Sequence, residues 1–72
     1  MFNNPAHVLA EQWHGGQWSG LYALQCGATD ADTFARAAAE FRECVKHADT
    51  EREKSALRVA ARYCETELEK CN

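Results

Sequence analysis

Two apolar stripes in the second half of the chain constrain its fold more than any other feature. From residue 34 onward, apolar residues recur three and four positions apart, which is the repeat of an α-helix with one buried face. The first stripe consists of Phe34, Ala37, Ala38, Phe41, Cys44 and Val45, and the second of Leu57, Ala60, Ala61, Cys64, Leu68 and Cys71. The pattern therefore predicts two amphipathic helices.

Capping signals predict where these two helices begin. Thr29-x-x-Asp32 resembles a capping box with Asp in place of the usual Glu, and the helix that follows it should end near His47. Thr50-x-x-Glu53 is a full capping box and should begin the last helix. Because the linker is only about two to four residues long, we expect the two helices to form an antiparallel hairpin.

The hairpin geometry also predicts which residues face each other. With a turn near Ala48, Phe41 would lie beside Leu57 and Phe34 beside Cys64, so that large residues meet smaller ones. This agreement between the two stripes supports the predicted hairpin.

The first half of the chain predicts one further helix, with a second that is less certain. Asn4-Pro5 is a helix start signal, and the helix should run from Pro5 to Trp13 or His14, where Gly15-Gly16 stops it. The run from residue 17 to 26 is short and apolar, so its periodicity does not separate helix from strand. We favour a helix, because no partner strand is evident and Gly27 suits a helix C-terminus. The predicted fold is all-α: one domain over residues 1–72, built as a small bundle of three or four helices.

Charge and hydropathy argue against several classes of protein. The net charge is −3 with acidic and basic residues interleaved, unlike the basic footprint of a nucleic-acid-binding protein. No apolar run approaches the roughly 18 residues of a membrane span. Residues 1–5 lack the basic and apolar regions of a signal peptide, so we expect a complete, small cytoplasmic protein.

The four cysteines are expected to be reduced thiols that act as small core residues. Their spacing contains no Cys-x-x-Cys, which gives little support to a zinc site. In the predicted hairpin Cys44 and Cys64 are too far apart to bridge, whereas Cys26 would be level with Cys71. If any disulfide forms, the prediction is Cys26 with Cys71.

No residue pattern indicates catalysis or a cofactor. His7 and His14 would lie about 10 Å apart on the first helix, too far to chelate one metal ion without a third element. Cys26 and His14 could form a nucleophile pair, but nothing marks an oxyanion hole or an orienting third group. We therefore expect no enzymatic activity, metal or cofactor.

The last helix carries a short basic stripe formed by Lys54, Arg58 and Arg62 at four-residue spacing. The stripe could dock onto an acidic surface or a phosphate backbone, but a solvated helix face is the favoured interpretation because acidic residues flank it. On the preceding helix, Asp32, Arg36 and Glu40 alternate in sign at the same spacing, which indicates solvent exposure.

Aromatic residues cluster around the paired glycines, where Trp13, His14, Trp18 and Tyr22 lie within a few positions of the bend. A small bundle needs large residues in its core, and Trp buries a large area. Trp and Tyr also dominate binding energy at interfaces, so one ring could face inward and another a partner.

The run from Trp13 to Leu24 resembles a segment of short uncharacterised proteins of bacteria and their phages or plasmids. The resemblance covers roughly residues 8 to 28 and fades in the two later helices. That family carries no assigned activity, so no functional residue is transferred. It implies a context, because small acidic helical proteins of mobile elements often bind and block a host protein, as anti-CRISPR proteins do.

The predicted function is a small non-catalytic protein-binding module, which could inhibit a host defence or regulatory complex. A nucleic-acid-binding module that uses the basic stripe and a structural homodimer are the alternatives. The predicted contact residues are Trp13, His14, Trp18, Tyr22, Lys54, Arg58 and Arg62.

Overall fold

The computed structural model describes Leu9 and residues 18–71, and within them the chain forms three helices and no strand. Helix α1 spans Ser19–Gln25, α2 spans Ala31–Val45 and α3 spans Glu51–Cys71. The predicted all-α fold class is confirmed. Leu9 is helical and packs against the core, but the rest of the helix predicted from residue 5 lies outside the described residues.

Helix α1, over Ser19–Gln25, confirms the helix that we favoured for the ambiguous run, of which residue 17 lies outside the described residues. Its C-terminus is closed by Gly27, whose φ of 97° is favourable only for glycine. The Gly27 N–H donates to the Leu24 carbonyl at 3.0 Å, and the Ala28 N–H donates to the Ala23 carbonyl at 3.1 Å. These two bonds form a Schellman motif and reverse the chain toward α2.

Helix α2 begins with a different cap from the one predicted. The N-cap is Asp30, whose carboxylate accepts the Thr33 N–H at 3.2 Å and the Thr33 hydroxyl at 2.7 Å. The predicted Thr29-x-x-Asp32 box was therefore wrong by one residue. Asp30 can accept from the backbone and the hydroxyl of Thr33 at once, because its carboxylate has two oxygens. The helix ends at Val45, two residues before the predicted His47.

Helix α3 begins at the capping box that the sequence predicted. The Glu53 N–H donates to Thr50 Oγ1 at 3.1 Å, and the Thr50 hydroxyl lies 3.2 Å from the Glu53 carboxylate. Only residues 46–50 separate α2 from α3. The Cys71 thiol, at the end of α3, lies 3.9 Å from the carbonyl of Thr29, just before α2. This contact confirms that the two helices run antiparallel.

The core lies between α1, α2 and α3 and uses both predicted stripes. Phe41 and Leu57 are fully buried in it, as are Leu21 and Leu24 of α1. Most other stripe residues are buried with them, while Val45 and Leu68 are partly buried. Cys71 is the exception, since it is exposed at the last turn of α3.

Helix α1 packs closely against α2 at Gly20. A methyl group at this position would come within 2.7 Å of Arg36 Cβ and 2.8 Å of the Ala37 nitrogen. Next to this contact, the Glu40 carboxylate accepts the backbone N–H groups of Gly20 and Leu21. Glu40 is therefore half-buried against α1, contrary to the exposure inferred from its charge pattern with Asp32 and Arg36.

Candidate protein-binding surface

Most of the basic side chains are neutralised by acidic neighbours. All eight lysines and arginines lie in the described part of the chain, and five of them form ion pairs. These pairs are Arg36–Asp32, Arg42–Glu65, Lys46–Glu43, Lys54–Glu51 and Lys70–Glu67. The three remaining cations, Arg52, Arg58 and Arg62, form no ion pair with any residue between 18 and 71.

Two of these three arginines line one open surface depression. Its walls are formed by Arg42, Arg58, Arg62 and Glu65, and its volume is about 360 Å³. Three positive groups and one negative group therefore face the same space, on a chain whose net charge is −3. We call these four residues the arginine surface.

Helix α3 places three members of the arginine surface on one flank. Arg58, Arg62 and Glu65 are separated by four and three residues, which puts them one above another along a helix. Arg42 reaches the same space from α2. It follows Glu40 by two residues, so the two side chains leave α2 about 200° apart. Because Glu40 contacts α1, Arg42 projects from the opposite flank.

The Arg42–Glu65 pair joins the two helices across this surface. Arg42 Nε donates to Glu65 Oε2 at 3.1 Å, and Arg42 Nη2 donates to the same oxygen. Both side chains remain about half exposed, at 54% and 43%. No bond to Glu65 Oε1 accompanies these two among residues 18–71. The Arg42 guanidinium thus donates two hydrogen bonds to a single carboxylate oxygen, in a solvent-accessible position.

The structure separates the members of the predicted basic stripe. Arg58 and Arg62 line the depression, but Lys54 pairs with Glu51 at 3.4 Å and does not line it. Arg42 and Glu65 were missed by sequence reasoning. They are 23 positions apart, so local spacing carries no signal for their pairing.

The predicted aromatic contact residues have different environments. Trp18 is partly buried against the core, and its ring centroid lies 6.4 Å from that of His47, with the rings tilted by 53°. Tyr22 is 56% exposed on α1. Trp13 and His14 lie outside the described residues. Trp18 therefore contributes to the packing of the bundle, whereas Tyr22 is accessible to a partner.

The cysteines divide into a buried pair and an exposed pair, and all four are free thiols. Burial, with a smaller contribution from Glu40, raises the pKa of the Cys44 thiol to about 11. Burial also raises the pKa of the Cys64 thiol to about 12. Cys26 and Cys71 are exposed and are not bonded to each other.

Residues 18–71 and Leu9 hold no group of three His, Cys, Asp or Glu side chains that could bind a metal ion. In the same part of the chain, no helix has the length and apolar character needed to cross a membrane. Comparison with models of protein families, with curated proteins and with solved structures found no match.

Proposed function

We propose that this chain is a small non-catalytic module that binds another protein through the arginine surface. The observation that carries the proposal is the concentration of unpaired positive charge. Arg58 and Arg62 face one depression without an acidic partner in residues 18–71, although the other cations except Arg52 are paired.

Arginine supports this proposal better than lysine would. Its planar guanidinium carries donors in a fixed fork and is weakly hydrated, which makes it common at protein interfaces. The hairpin holds Arg42 opposite α3, so the arginines approach a ligand from two helices. A contact surface supported by a packed hairpin loses little conformational freedom on binding.

The wider prediction is that binding inhibits a host defence or regulatory complex by occupying it. This prediction rests on the resemblance of the Trp13–Leu24 segment to proteins of phages and plasmids. Tyr22, which is exposed on α1, and Trp13 and His14 stay proposed contacts of a second patch.

The experiment is affinity capture from the native cells with three forms of the full chain. The wild type, the double variant R58A/R62A and the charge-matched control R36A/R52A are compared. Both double variants lose two positive charges, but Arg36 and Arg52 do not line the depression. A protein retained by the wild type and the control, and lost by R58A/R62A, is the expected partner.

Two results would overturn the proposal. One is equal retention of every captured protein by all three forms. The other is capture of a second copy of this chain alone, which would instead support the alternative of a structural homodimer.

A further inference from the structure

The Arg42–Glu65 pair points to the chemistry of the partner. We infer that the arginine surface receives a carboxylate-rich segment of a protein, and that Glu65 occupies Arg42 in its absence. This inference rests on the proposed protein-binding function and specifies the ligand of the same surface.

The geometry of the pair resembles an incomplete version of guanidinium–carboxylate recognition. A full bidentate pair uses two parallel N–H···O bonds to two oxygens. Here Nε and Nη2 of Arg42 both contact Glu65 Oε2. Both side chains of the pair are about half exposed, so its net contribution to stability is small. An incoming carboxylate can therefore take the place of Glu65 on Arg42 at little cost.

Displacement of Glu65 would leave three guanidinium groups available in one depression. Arg58 and Arg62 already lack acidic partners among the described residues, and Arg42 joins them when Glu65 leaves. The depression is open to solvent and has a volume of about 360 Å³. The site thus matches a short acidic segment with neighbouring Asp or Glu residues.

The surrounding charge favours carboxylates of a protein over a nucleic-acid backbone. A nucleic-acid strand presents a continuous row of phosphates, and its binding depends on cations placed along that row. On this chain the next cation along α3, Lys54, is paired with Glu51, and the net charge is −3. A long polyanion would therefore meet repulsion beyond the depression, whereas a short acidic segment would not.

The test is an NMR titration of the full chain with a short peptide that contains neighbouring glutamates. The Nε–Hε signals of Arg42, Arg58 and Arg62 are followed, and Arg52 serves as an internal control in the same sample. We expect the three lining arginines to shift together with a dissociation constant of about 1 mM, because exposed charge pairs are individually weak. The R58A/R62A variant should bind about tenfold more weakly.

A matched pair of variants tests the role of Glu65. E65Q removes the carboxylate that contacts Arg42, and E69Q removes an equal charge one turn further along α3. E65Q should tighten peptide binding about threefold, because the peptide no longer has to break one exposed ion pair. E69Q should change it by much less, because Glu69 does not line the depression.

Three results would overturn the inference. Arg52 could shift as much as the lining arginines, E69Q could tighten binding as much as E65Q, or a single-stranded oligonucleotide could bind more tightly than the peptide at the same salt concentration. If the peptide does not bind but R58A/R62A still loses its captured protein, this inference fails while the proposed protein-binding function stands.

Discussion

Glu40 of α2 forms the N-terminal cap of α1 by binding the backbone of Gly20. Glu40 Oε2 accepts the Gly20 N–H at 3.1 Å, and its other oxygen accepts the Leu21 N–H at 3.0 Å. The first N–H groups of a helix have no partner within the helix. The N-cap residue Trp18 offers no side-chain acceptor, so a carboxylate from the neighbouring helix takes this role. Its negative charge also suits the positive end of the helix dipole.

Replacement of Glu40 by alanine should lower the free energy of unfolding by about 1–3 kcal/mol, because two partly buried N–H groups lose their acceptor. E40Q should lower it less, since the amide oxygen can still accept one of the two bonds. Urea denaturation measures both effects. The control is E43A, which removes the half-exposed partner of Lys46 and should change stability by less than about 1 kcal/mol. Equal losses in E40A and E43A would contradict the capping role.

Replacement of Gly20 by alanine should also destabilise the protein, by about 1–3 kcal/mol. The added methyl group would meet the backbone of α2 within 3 Å, at the Ala37 nitrogen and the Arg36 carbonyl carbon. The sign is informative, because glycine to alanine within an ordinary helix stabilises by roughly 0.5–1 kcal/mol. Thermal unfolding of G20A, beside S19A as an exposed control on the same helix, measures the effect. A G20A variant more stable than the wild type would show that the contact between α1 and α2 accommodates the added methyl group without loss of stability.

Both relationships show how far the sequence could predict the fold. The hairpin was predictable because its signals are local: apolar spacing in α2 and α3, and the Thr50–Glu53 capping box. The C-terminus of α1 was predictable for the same reason, since Gly27 is a local signal. The contact between Glu40 and Gly20 joins positions 20 residues apart, and local spacing assigned Glu40 to a solvated charge pattern instead.

The arginine surface was likewise predictable where its signals are local and not where it depends on contacts between helices. The spacing of Arg58 and Arg62 indicated a shared helix face, and the structure places both on one depression. Spacing could not show that Lys54 is neutralised by Glu51, because a pair three residues apart and a stripe four residues apart are both compatible with one helix. Nor could it show that Arg42 reaches this depression from α2, which depends on the packing of the hairpin.

The two classes of cysteine should react at different rates. Cys26 and Cys71 are exposed, so a thiol reagent such as DTNB should modify them rapidly in the folded protein. Cys44 and Cys64 are buried and have raised pKa values of about 11 and 12, so near neutral pH they stay protonated and should react only when the protein unfolds. C26S and C71S should each remove one fast thiol. Absence of fast thiols in unreduced protein would contradict the free thiols of the structure and indicate a Cys26–Cys71 disulfide, the one pairing that the sequence allowed.

The same two buried thiols predict a loss of stability in alkali. Their folded pKa values lie above the ordinary cysteine value of 9.0, so above pH 9 the unfolded chain loses protons that the folded chain keeps. The free energy of unfolding should therefore fall as the pH rises from 9 toward the folded values. Urea denaturation over this range measures the slope. The double variant C44A/C64A should have a shallower slope than C26S/C71S, and equal slopes would contradict this assignment.

Alanine variants of Trp18 and Tyr22 should distinguish a residue that packs the bundle from one that contacts a partner. Trp18 is partly buried against the core, so W18A should lower the free energy of unfolding by about 1–3 kcal/mol, less than a fully buried tryptophan would. Tyr22 is 56% exposed, so Y22A should change stability by only about 0.5 kcal/mol. Urea denaturation measures both changes in stability. Capture of the partner from native cells measures the contact with a partner.

If Tyr22 belongs to a second contact patch, Y22A should remain folded and retain less of the protein that the wild type captures. Val59 provides the matched control, because it is also an exposed apolar residue, at 54%, but lies on α3. V59A should remain folded and capture as the wild type does. If Y22A captures the partner as well as V59A does, Tyr22 is not a partner contact. The arginine surface then stays the proposed contact surface.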